Sequence, residues 1–350
     1  PVLAVDIPSG INADTGVAAA GAVEADVTIS FGWARAGHIF APECGAVVLC
    51  DLLLPGAPRS FAEELSATAK PVGHIANEPT IPLPYQWPSE PVLTGEQGVV
   101  TAPKPVGCPG PILDPTPGAK STKYTGGVTA VCAGSSAFPG AGILAATGAV
   151  RATPSMVRVV GNDSVTTSLP EVVPHASAQE KVHAQAWVIG PGRGTDPEAA
   201  AELRAVLKRG LPTIIDADAL TVLSTYGDLR ELVRDHPCAV LTPHAGEFER
   251  LYKATLGREL DLSEGLEIRL QELASALDCF VLHKGRITTV TGPGQDIYGM
   301  NAGHSYAATA GSGDVLSGIL GATLAQLDIV EVSAETIIME ILHAAAIHQH

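Results

Sequence analysis

The chain has 350 residues, 46% of them hydrophobic and 17% charged, which is long enough for one large or two smaller globular domains. Its 21 Lys and Arg against 37 Asp and Glu give a net charge of −16, which argues against binding nucleic acid or an anionic membrane surface. No apolar run approaches the roughly 18 residues of a membrane span. The six cysteines have no CxxC pair or zinc spacing, so we expect a cytoplasmic protein in a reducing compartment.

The first 60 residues have the pattern of a partial Rossmann-like α/β segment. Short apolar runs separated by Gly and Asp turns predict strands at 2–5, 26–31 and 46–50. Because the first strand begins at once, we expect the segment to be cut from something longer. A short helix is predicted at 61–69. Twelve of the 27 prolines then fall within 71–118, so we assign 61–119 to a helix followed by a linker or insertion.

Residues 120–350 alternate between short apolar runs and helical patterns. The predicted strands are 128–132, 157–160, 186–189, 213–215, 239–241 and 280–282, followed by a mixed strand pair at 287–291 and 295–299. The predicted helices are 140–152, 197–209, 218–225, 245–254, 263–277 and 333–349. This alternation is typical of an α/β domain whose parallel sheet carries helices on both faces.

The run from Ala307 to Ala322 carries the strongest functional signal. Gly311, Ser312 and Gly313 open an apolar-periodic helix, whose free backbone N–H groups suit a phosphate. Asp314 puts a negative charge in this anion site, which favours a chemical role such as taking a proton from a substrate hydroxyl. The alternative is that Asp314 only caps the helix.

Four further motifs each follow a predicted strand. They are the glycine-rich loop Gly190–Gly194, the pair Asp216 and Asp218, His244 after Thr242-Pro243, and Lys284-Gly285. In parallel sheets ligands bind beyond the carboxyl ends of the strands, so we expect the four motifs to meet there. Each has a plainer alternative. The loop could be only a tight turn, His244 a structural histidine and Lys284 a surface lysine. Asp216 and Asp218 could hold a Mg²⁺ through water, and Asp218 could be the N-cap of the next helix instead of this or as well.

In chain order these motifs resemble one family. With Lys123–Gly127 they form an ordered series over 120–325 that is similar to the nucleotide-dependent NAD(P)H-hydrate dehydratases, enzymes of the ribokinase-like fold that repair hydrated nicotinamide cofactors. The resemblance implies a ribokinase-like parallel-sheet sandwich. It also implies dehydration of (6S)-NAD(P)H hydrate to NADH or NADPH with ADP or ATP and Mg²⁺, in a chain that we expect to be a homo-oligomer.

The resemblance also assigns roles to residues. It implies substrate contacts for Ala141, Gly192, Gly194, His244 and the catalytic Asp314. It implies nucleotide contacts for Lys284, Gly285, Arg286, Ile287, Thr288, Gly311, Ser312 and Gly313.

The N-terminal segment resembles a second family. Asp6–Gly10 followed by Asn12–Gly16 is similar to the end of the NAD(P)H-hydrate epimerase domain, which is often fused ahead of the dehydratase. The resemblance implies substrate contact for Asp6 and K⁺ ligation for Ser9. The epimerase's Asn-Asn-Gly-Asp region is absent, so we expect this chain to dehydrate but not to epimerise. Three strands bury little surface, and we expect 1–55 to be poorly ordered or packed on a neighbour.

Two other functions fit parts of the pattern. A ribokinase-like kinase for a sugar or vitamin precursor would use the same phosphate site, although the epimerase-like segment and the Thr242–Glu247 motif favour the dehydratase. A nucleotide-binding scaffold without catalysis would not require Asp314 and Lys284.

Overall fold

The chain is described by a computed structural model. The residues described are 1–52, 58–69, 73–76, 94–95, 98–99, 116–153, 155–261, 265–300 and 307–349. Most of the proline-rich stretch 71–118 lies outside them. No helix in the described part of the chain is long and apolar enough to cross a membrane.

The N-terminal segment forms a small parallel sheet. Its strands are β1 (Leu3–Val5), β2 (Val27–Phe31) and β3 (Ala46–Cys50), paired in that order. Helices α1 (Ala36–Phe40) and α2 (Phe61–Thr68) accompany it, with a 3-10 turn at Pro42–Cys44. Its core is small: Ile11, Ala41 and Cys44 form its cluster of buried apolar residues. The strands agree with the predicted ones to within a residue.

A ten-stranded sheet forms the larger domain. Its strands are β4 (Gly73–Ala76), β7 (Thr129–Cys132), β8 (Val157–Val160), β9 (Val173–His175), β10 (Ala186–Ile189), β11 (Thr213–Ile215), β12 (Ala239–Leu241), β13 (Phe280–His283), β14 (Thr288–Thr291) and β15 (Ile297–Met300). They lie in the order β4-β15-β14-β13-β12-β11-β10-β7-β8-β9. The run from β9 to β13 is parallel, and β14 is antiparallel to both of its neighbours. A separate two-stranded pair joins β5 (Thr94–Gly95) to β6 (Gly98–Val99).

Helices cover both faces of this sheet. They are α3 (Pro139–Ala152), α4 (Ser164–Ser168), α5 (Pro197–Leu207), α6 (Asp218–Thr225), α7 (Gly227–Arg234), α8 (Ala245–Leu256), α9 (Leu266–Leu277), α10 (Ser312–Leu324) and α11 (Ala334–Gln349). Alternate residues of one strand face opposite cores: Trp187 packs with Leu203 of α5, whereas Val188 packs with Leu320 of α10. A strand buried on both faces needs apolar side chains in succession, which is why the central strands were predictable. The predicted α/β architecture is confirmed.

Helices α3 and α10 cross at very short distance. A Cβ on Gly318 would lie 1.9 Å from the carbonyl oxygen of Ala145, and one on Gly148 would lie 2.2 Å from that of Val315. Only glycine permits such an approach of two helix backbones. The crossing fixes the residues around Gly318, in the second turn of α10, against the middle of α3.

In the ten-stranded sheet and the helices that cover it, four elements were not predicted from the sequence pattern. Strand β9 contains Pro174, which an edge strand tolerates but which weakens a strand signal. Helix α4 spans five residues, too short for a clear helical period, whereas α7 spans eight and the spacing of Leu229, Leu232 and Val233 could have indicated it. Strand β4 pairs with β15, so part of the segment assigned to the linker belongs to the larger sheet. The predicted helix at 263–277 begins at Leu266, and 262–264 lie outside the described residues.

Candidate active site

A buried carboxylate links three elements at the carboxyl edge of the sheet. Asp216 directly follows β11 and is only 1% exposed. Its Oδ1 accepts a hydrogen bond from Nζ of Lys284, which follows β13, at 2.6 Å. Its Oδ2 accepts one from Oγ of Ser317, in the second turn of α10, at 2.7 Å. Both oxygens are therefore satisfied, as burial of a charge requires.

Asp314 lies beside the ion pair of Asp216 and Lys284. Helix α10 begins at Ser312 with Gly311 as its N-cap residue and no side-chain cap, so the alternative that Asp314 caps the helix is wrong. A Cβ built on Gly313 would lie 3.4 Å from Nζ of Lys284, which places the glycine turn against the lysine. Burial raises the pKa of the Asp314 carboxyl to about 6, the negative charges of Asp216 and Asp218 add to the rise, and Lys284 opposes it. A carboxyl group that ionises near neutral pH suits a general base.

Asp218 is held by the glycine-rich loop. Its Oδ2 accepts a hydrogen bond from the backbone N–H of Gly194 at 2.8 Å. Helix α6 begins at Asp218 itself, with Ala217 as N-cap residue, so the alternative that Asp218 is the N-cap is wrong. Ala217 has φ +50° and ψ −119°, a strained conformation for a residue with a Cβ. Nothing in the sequence indicated this strain, which turns Asp216 and Asp218 toward different partners.

Two predicted substrate positions are brought together at the start of α3. Gly192 has φ +62°, and a Cβ there would lie 2.8 Å from that of Ala141 and 3.0 Å from that of Phe138. Any side chain at this position would therefore both strain the loop and fill the space beside Ala141. Arg193 anchors the loop from behind, donating from Nε to Glu202 at 2.9 Å and from Nη1 to the carbonyl of Gly134 at 2.9 Å.

The imidazole of His244 caps helix α8 with one ring nitrogen and is exposed on its other side. It is the N-cap residue of α8, and its Nδ1 accepts hydrogen bonds from the backbone N–H groups of Gly246 at 3.1 Å and Glu247 at 3.4 Å. An accepting Nδ1 assigns the proton of the neutral ring to Nε2. The side chain is 58% exposed, with Nε2 at 3.5 Å from Oε1 of Glu247. The ring therefore retains a donor for a ligand.

His244 and Lys284 are direct neighbours. They form a parallel bridge between the ends of β12 and β13, and the N–H of Lys284 donates to the carbonyl of Pro243 at 2.9 Å. Glu247 lies 4.0 Å from Nζ of Lys284 on the same side. The predicted substrate and nucleotide positions thus meet along one edge.

The predicted nucleotide segment after β13 is partly exposed and partly buried. Gly285 and Arg286 are exposed, whereas Ile287 and Thr288 are buried. The segment can therefore meet a ligand through Lys284, Gly285 and Arg286. Arg286 also donates from Nη2 to the carbonyl of Gly45 at 3.3 Å, which joins the small N-terminal sheet to this loop.

Sequence reasoning missed Ser317 and His348. Ser317 lies three residues after Asp314 and hence on the same face of α10, a spacing that could have indicated it. His348 lies at the end of α11, with Nε2 at 2.8 Å from Oγ of Ser312. No local signal in the sequence connects it to the site.

The carboxylates of Asp216 and Asp218 suit a metal ion that enters together with a nucleotide. They do not form a metal site built from protein ligands alone. Within the described ranges no group of three or more His, Cys, Asp or Glu side chains is placed to hold a metal. Mg²⁺ is usually held by one or two carboxylates together with phosphates and waters. Asp216 and Asp218 lie at the carboxyl edge of the sheet, where such an ion would bind. Both oxygens of Asp216 already accept hydrogen bonds, from Lys284 and Ser317.

The predicted epimerase residues lie in the other sheet. Asp6 follows β1 with φ +68°, and its carbonyl accepts a hydrogen bond from Nε2 of His38 at 2.5 Å. Asp6 and Ser9 are both exposed. The structure therefore places them in the small N-terminal sheet and not with Asp314.

The sheet, its two helix layers and a site at the carboxyl edge beside a glycine-opened helix define a ribokinase-like protein. A solved ribokinase-like superfamily protein from Enterococcus faecalis matches with a TM-score of 0.56 and 25% identity, over 67% of this chain and 81% of that one. The ADP/ATP-dependent NAD(P)H-hydrate dehydratase of Bacillus subtilis, co-crystallised with ATP and Mg²⁺, matches with a TM-score of 0.53 and 26% identity, over 67% and 82%.

The family follows from the sequence comparisons. A family model described as NAD(P)H-hydrate dehydratase matches residues 129–349, and the chain belongs to that family. The ADP-dependent (S)-NAD(P)H-hydrate dehydratase of Neisseria meningitidis is 34% identical over 59% of this chain and 72% of its own length. The resemblance seen in the motifs is thereby confirmed.

The N-terminal segment matches a second model. Residues 1–37 match the model described as YjeF-related protein N-terminus. The bifunctional NAD(P)H-hydrate repair enzyme of Corynebacterium glutamicum is 38% identical over 93% of this chain and 61% of its own length. The chain thus spans about three fifths of such bifunctional relatives.

Proposed function

We propose that this chain dehydrates (6S)-NAD(P)H hydrate to NADH or NADPH in a reaction that consumes ADP or ATP. The observation that carries the proposal is Asp314, a carboxylate whose pKa is raised to about 6 at the glycine-opened start of α10, beside Lys284. Membership of the dehydratase family supports the substrate class. The names of the Neisseria and Bacillus proteins support ADP and ATP as the nucleotides.

Asp314 supplies the base for the first step. Hydroxide is a poor leaving group, and phosphorylation of the ring hydroxyl makes it a good one. Asp314 takes the hydroxyl proton as the oxygen attacks the terminal phosphorus, and the bond from that phosphorus to the nucleotide's bridging oxygen breaks. The ring carbon–oxygen bond then breaks with release of phosphate, and loss of a ring proton restores the dihydronicotinamide.

The phosphate side of the site combines amide donors with one lysine. The backbone N–H groups of Gly311 and Gly313 and Nζ of Lys284 are the donors that would meet the transferred phosphoryl group, since the N–H of Ser312 already donates to the carbonyl of Thr309 at 3.2 Å. Nζ of Lys284 lies 2.6 Å from Asp216 and 4.0 Å from Glu247, and the charges of Asp216, Asp218 and Lys284 all act on Asp314. With one lysine among four carboxyl groups, this set of residues carries excess negative charge. A Mg²⁺ that enters with the nucleotide, held through water by Asp216 and Asp218, would offset this charge.

The hydrate side of the site lies along the same edge. Ala141, Gly192 and Gly194 provide a surface without bulky side chains, close to where Asp218 holds the loop. The Nε2–H of His244 is the donor available to the hydrated ring or its carboxamide.

The proposal is tested by incubating the chain with hydrated NADH and following recovery of dihydronicotinamide absorbance with ADP, ATP or no nucleotide. Nucleotide-dependent recovery that is lost in Asp314→Asn is the expected result. Accumulation of a stable phosphorylated small molecule without recovery would instead indicate a ribokinase-like kinase. Nucleotide binding without any turnover would indicate a scaffold.

A further inference from the structure

The end of the last helix reaches both segments assigned to the nucleotide. His348 Nε2 lies 2.8 Å from Oγ of Ser312, the first residue of α10. The next residue, Gln349, donates from Nε2 to Oγ1 of Thr288, the first residue of β14, at 2.8 Å. Two consecutive residues of α11 thus contact two segments that are 24 residues apart in sequence (288 and 312).

These two contacts can keep the two nucleotide segments at a fixed separation, which the site requires. A phosphate held jointly by Lys284 and by the amides of Gly311 and Gly313 requires the loop after β13 and the start of α10 to keep a fixed separation. The chain of hydrogen bonds from Lys284 through Asp216 to Ser317 fixes the second turn of α10. Gly311 and Ser312 lie one turn earlier, and in the described part of the chain His348 makes a side-chain hydrogen bond to this first turn.

We propose that His348 and Gln349 are positioning residues of the nucleotide site, fixing the glycine turn of α10 relative to the segment that ends at Thr288. The proposal rests on the nucleotide role assigned to these two segments. His348 acts through Ser312, and Gln349 acts through Thr288. Neither needs to touch the nucleotide.

The environment of His348 favours a neutral imidazole that positions Ser312 through a hydrogen bond. Burial lowers the pKa of the imidazole from its ordinary value, and this outweighs the hydrogen bond with Ser312, which raises it; the nearby positive charge of Lys284 lowers it further. A neutral ring adds no second positive charge beside Lys284, so Lys284 remains the cation that faces the phosphates. The neutral ring also presents one nitrogen to the Ser312 hydroxyl, which can act as donor or acceptor.

The first experiment measures nucleotide binding by calorimetry and the KM values for ADP and for hydrated NADH in the full chain. In His348→Ala we expect ADP affinity to fall by about fivefold, the loss of one net hydrogen bond, with the KM for the hydrate unchanged. His348→Gln, whose amide reaches the position of Nε2, should recover most of the affinity. Ile347→Ala is the matched control, because this neighbouring side chain is 48% exposed.

A double-mutant cycle separates positioning from general stability. If His348 acts through Ser312, the ADP affinity of His348→Ala/Ser312→Ala should equal that of Ser312→Ala alone. Additive losses, an unchanged affinity in His348→Ala, or an equal rise in the KM for the hydrate would each overturn the proposal. If the chain binds ADP but does not dehydrate, the proposed function fails while the affinity changes still decide this inference.

Discussion

Replacing Asp314 with Asn should abolish turnover and at the same time stabilise the fold at neutral pH. The carboxyl pKa rises from 3.8 in the unfolded chain to about 6 in the folded one, so ionisation of Asp314 is disfavoured by folding. Roughly two pKa units correspond to about 3 kcal/mol at most. Solvent reaches part of the carboxylate, so we expect a gain of about 1–2 kcal/mol in the free energy of unfolding.

The sign of the pH dependence follows from proton binding. Between pH 3.8 and about 6 the folded state holds a proton on Asp314 that the unfolded state has lost, so this group's stabilising contribution is lost as pH rises through about 6. The gain in Asp314→Asn should therefore be largest above pH 7 and vanish below about pH 4. In the wild type, kcat/KM should fall about tenfold per pH unit below about pH 6, because the base becomes protonated.

The assay is thermal unfolding from pH 4 to 8 together with hydrate turnover. For a domain of this size each kcal/mol corresponds to about 2–4 °C in Tm. Asp235→Asn is the control, because Asp235 is exposed. A stability gain independent of pH, no gain at pH 7.5, or undiminished turnover in Asp314→Asn would refute the reasoning.

Three further substitutions probe the remaining parts of the site. His244→Ala should raise the KM for the hydrate and lower the free energy of unfolding by about 1 kcal/mol, because the α8 cap is lost. Calorimetry should show the ADP affinity little changed, and an equal loss of affinity for both ligands would contradict this. Gly192→Ala should raise the KM for the hydrate because its Cβ would meet that of Ala141 at 2.8 Å, and an unchanged KM would place the substrate elsewhere. Gly318→Ala should lower the free energy of unfolding in urea by about 1–3 kcal/mol or more, since its Cβ would lie 1.9 Å from the carbonyl of Ala145; an unchanged midpoint would show that the crossing of α3 and α10 can relax.

The core of the fold could be predicted from short apolar runs and turn residues. Strands at 186–189 and 213–215 match the predictions residue for residue, because central strands buried on both faces are almost entirely apolar, with Thr213 as the polar exception here. Strands β4 and β9 were missed because edge strands carry weaker constraints and tolerate proline. Helix α4 was missed because five residues are too few to show a period, whereas the helical spacing of Leu229, Leu232 and Val233 in α7 was present but was not recognised.

The candidate site could be predicted as a set of motifs but not as a network. Residues after parallel strands must meet at one edge, so the motifs at Gly190, Asp216, His244 and Lys284 could be placed together from topology alone. Their partners could not be assigned in this way. The pairing of Asp216 with Lys284 spans 68 residues, and its bond to Ser317 spans 101.

By itself, the sequence determined which residues are available for chemistry and which elements present them. Glycines at 311 and 313 and the acid at 314 define a phosphate-binding helix start with a base, since these properties depend on residues that are adjacent in the chain. Only the tertiary structure decided the charge state of that base, because the pKa of Asp314 depends on burial and on Asp216, Asp218 and Lys284. The contact of His348 with Ser312 has the same origin: it joins two helix ends that approach each other only when α10 and α11 pack on the sheet.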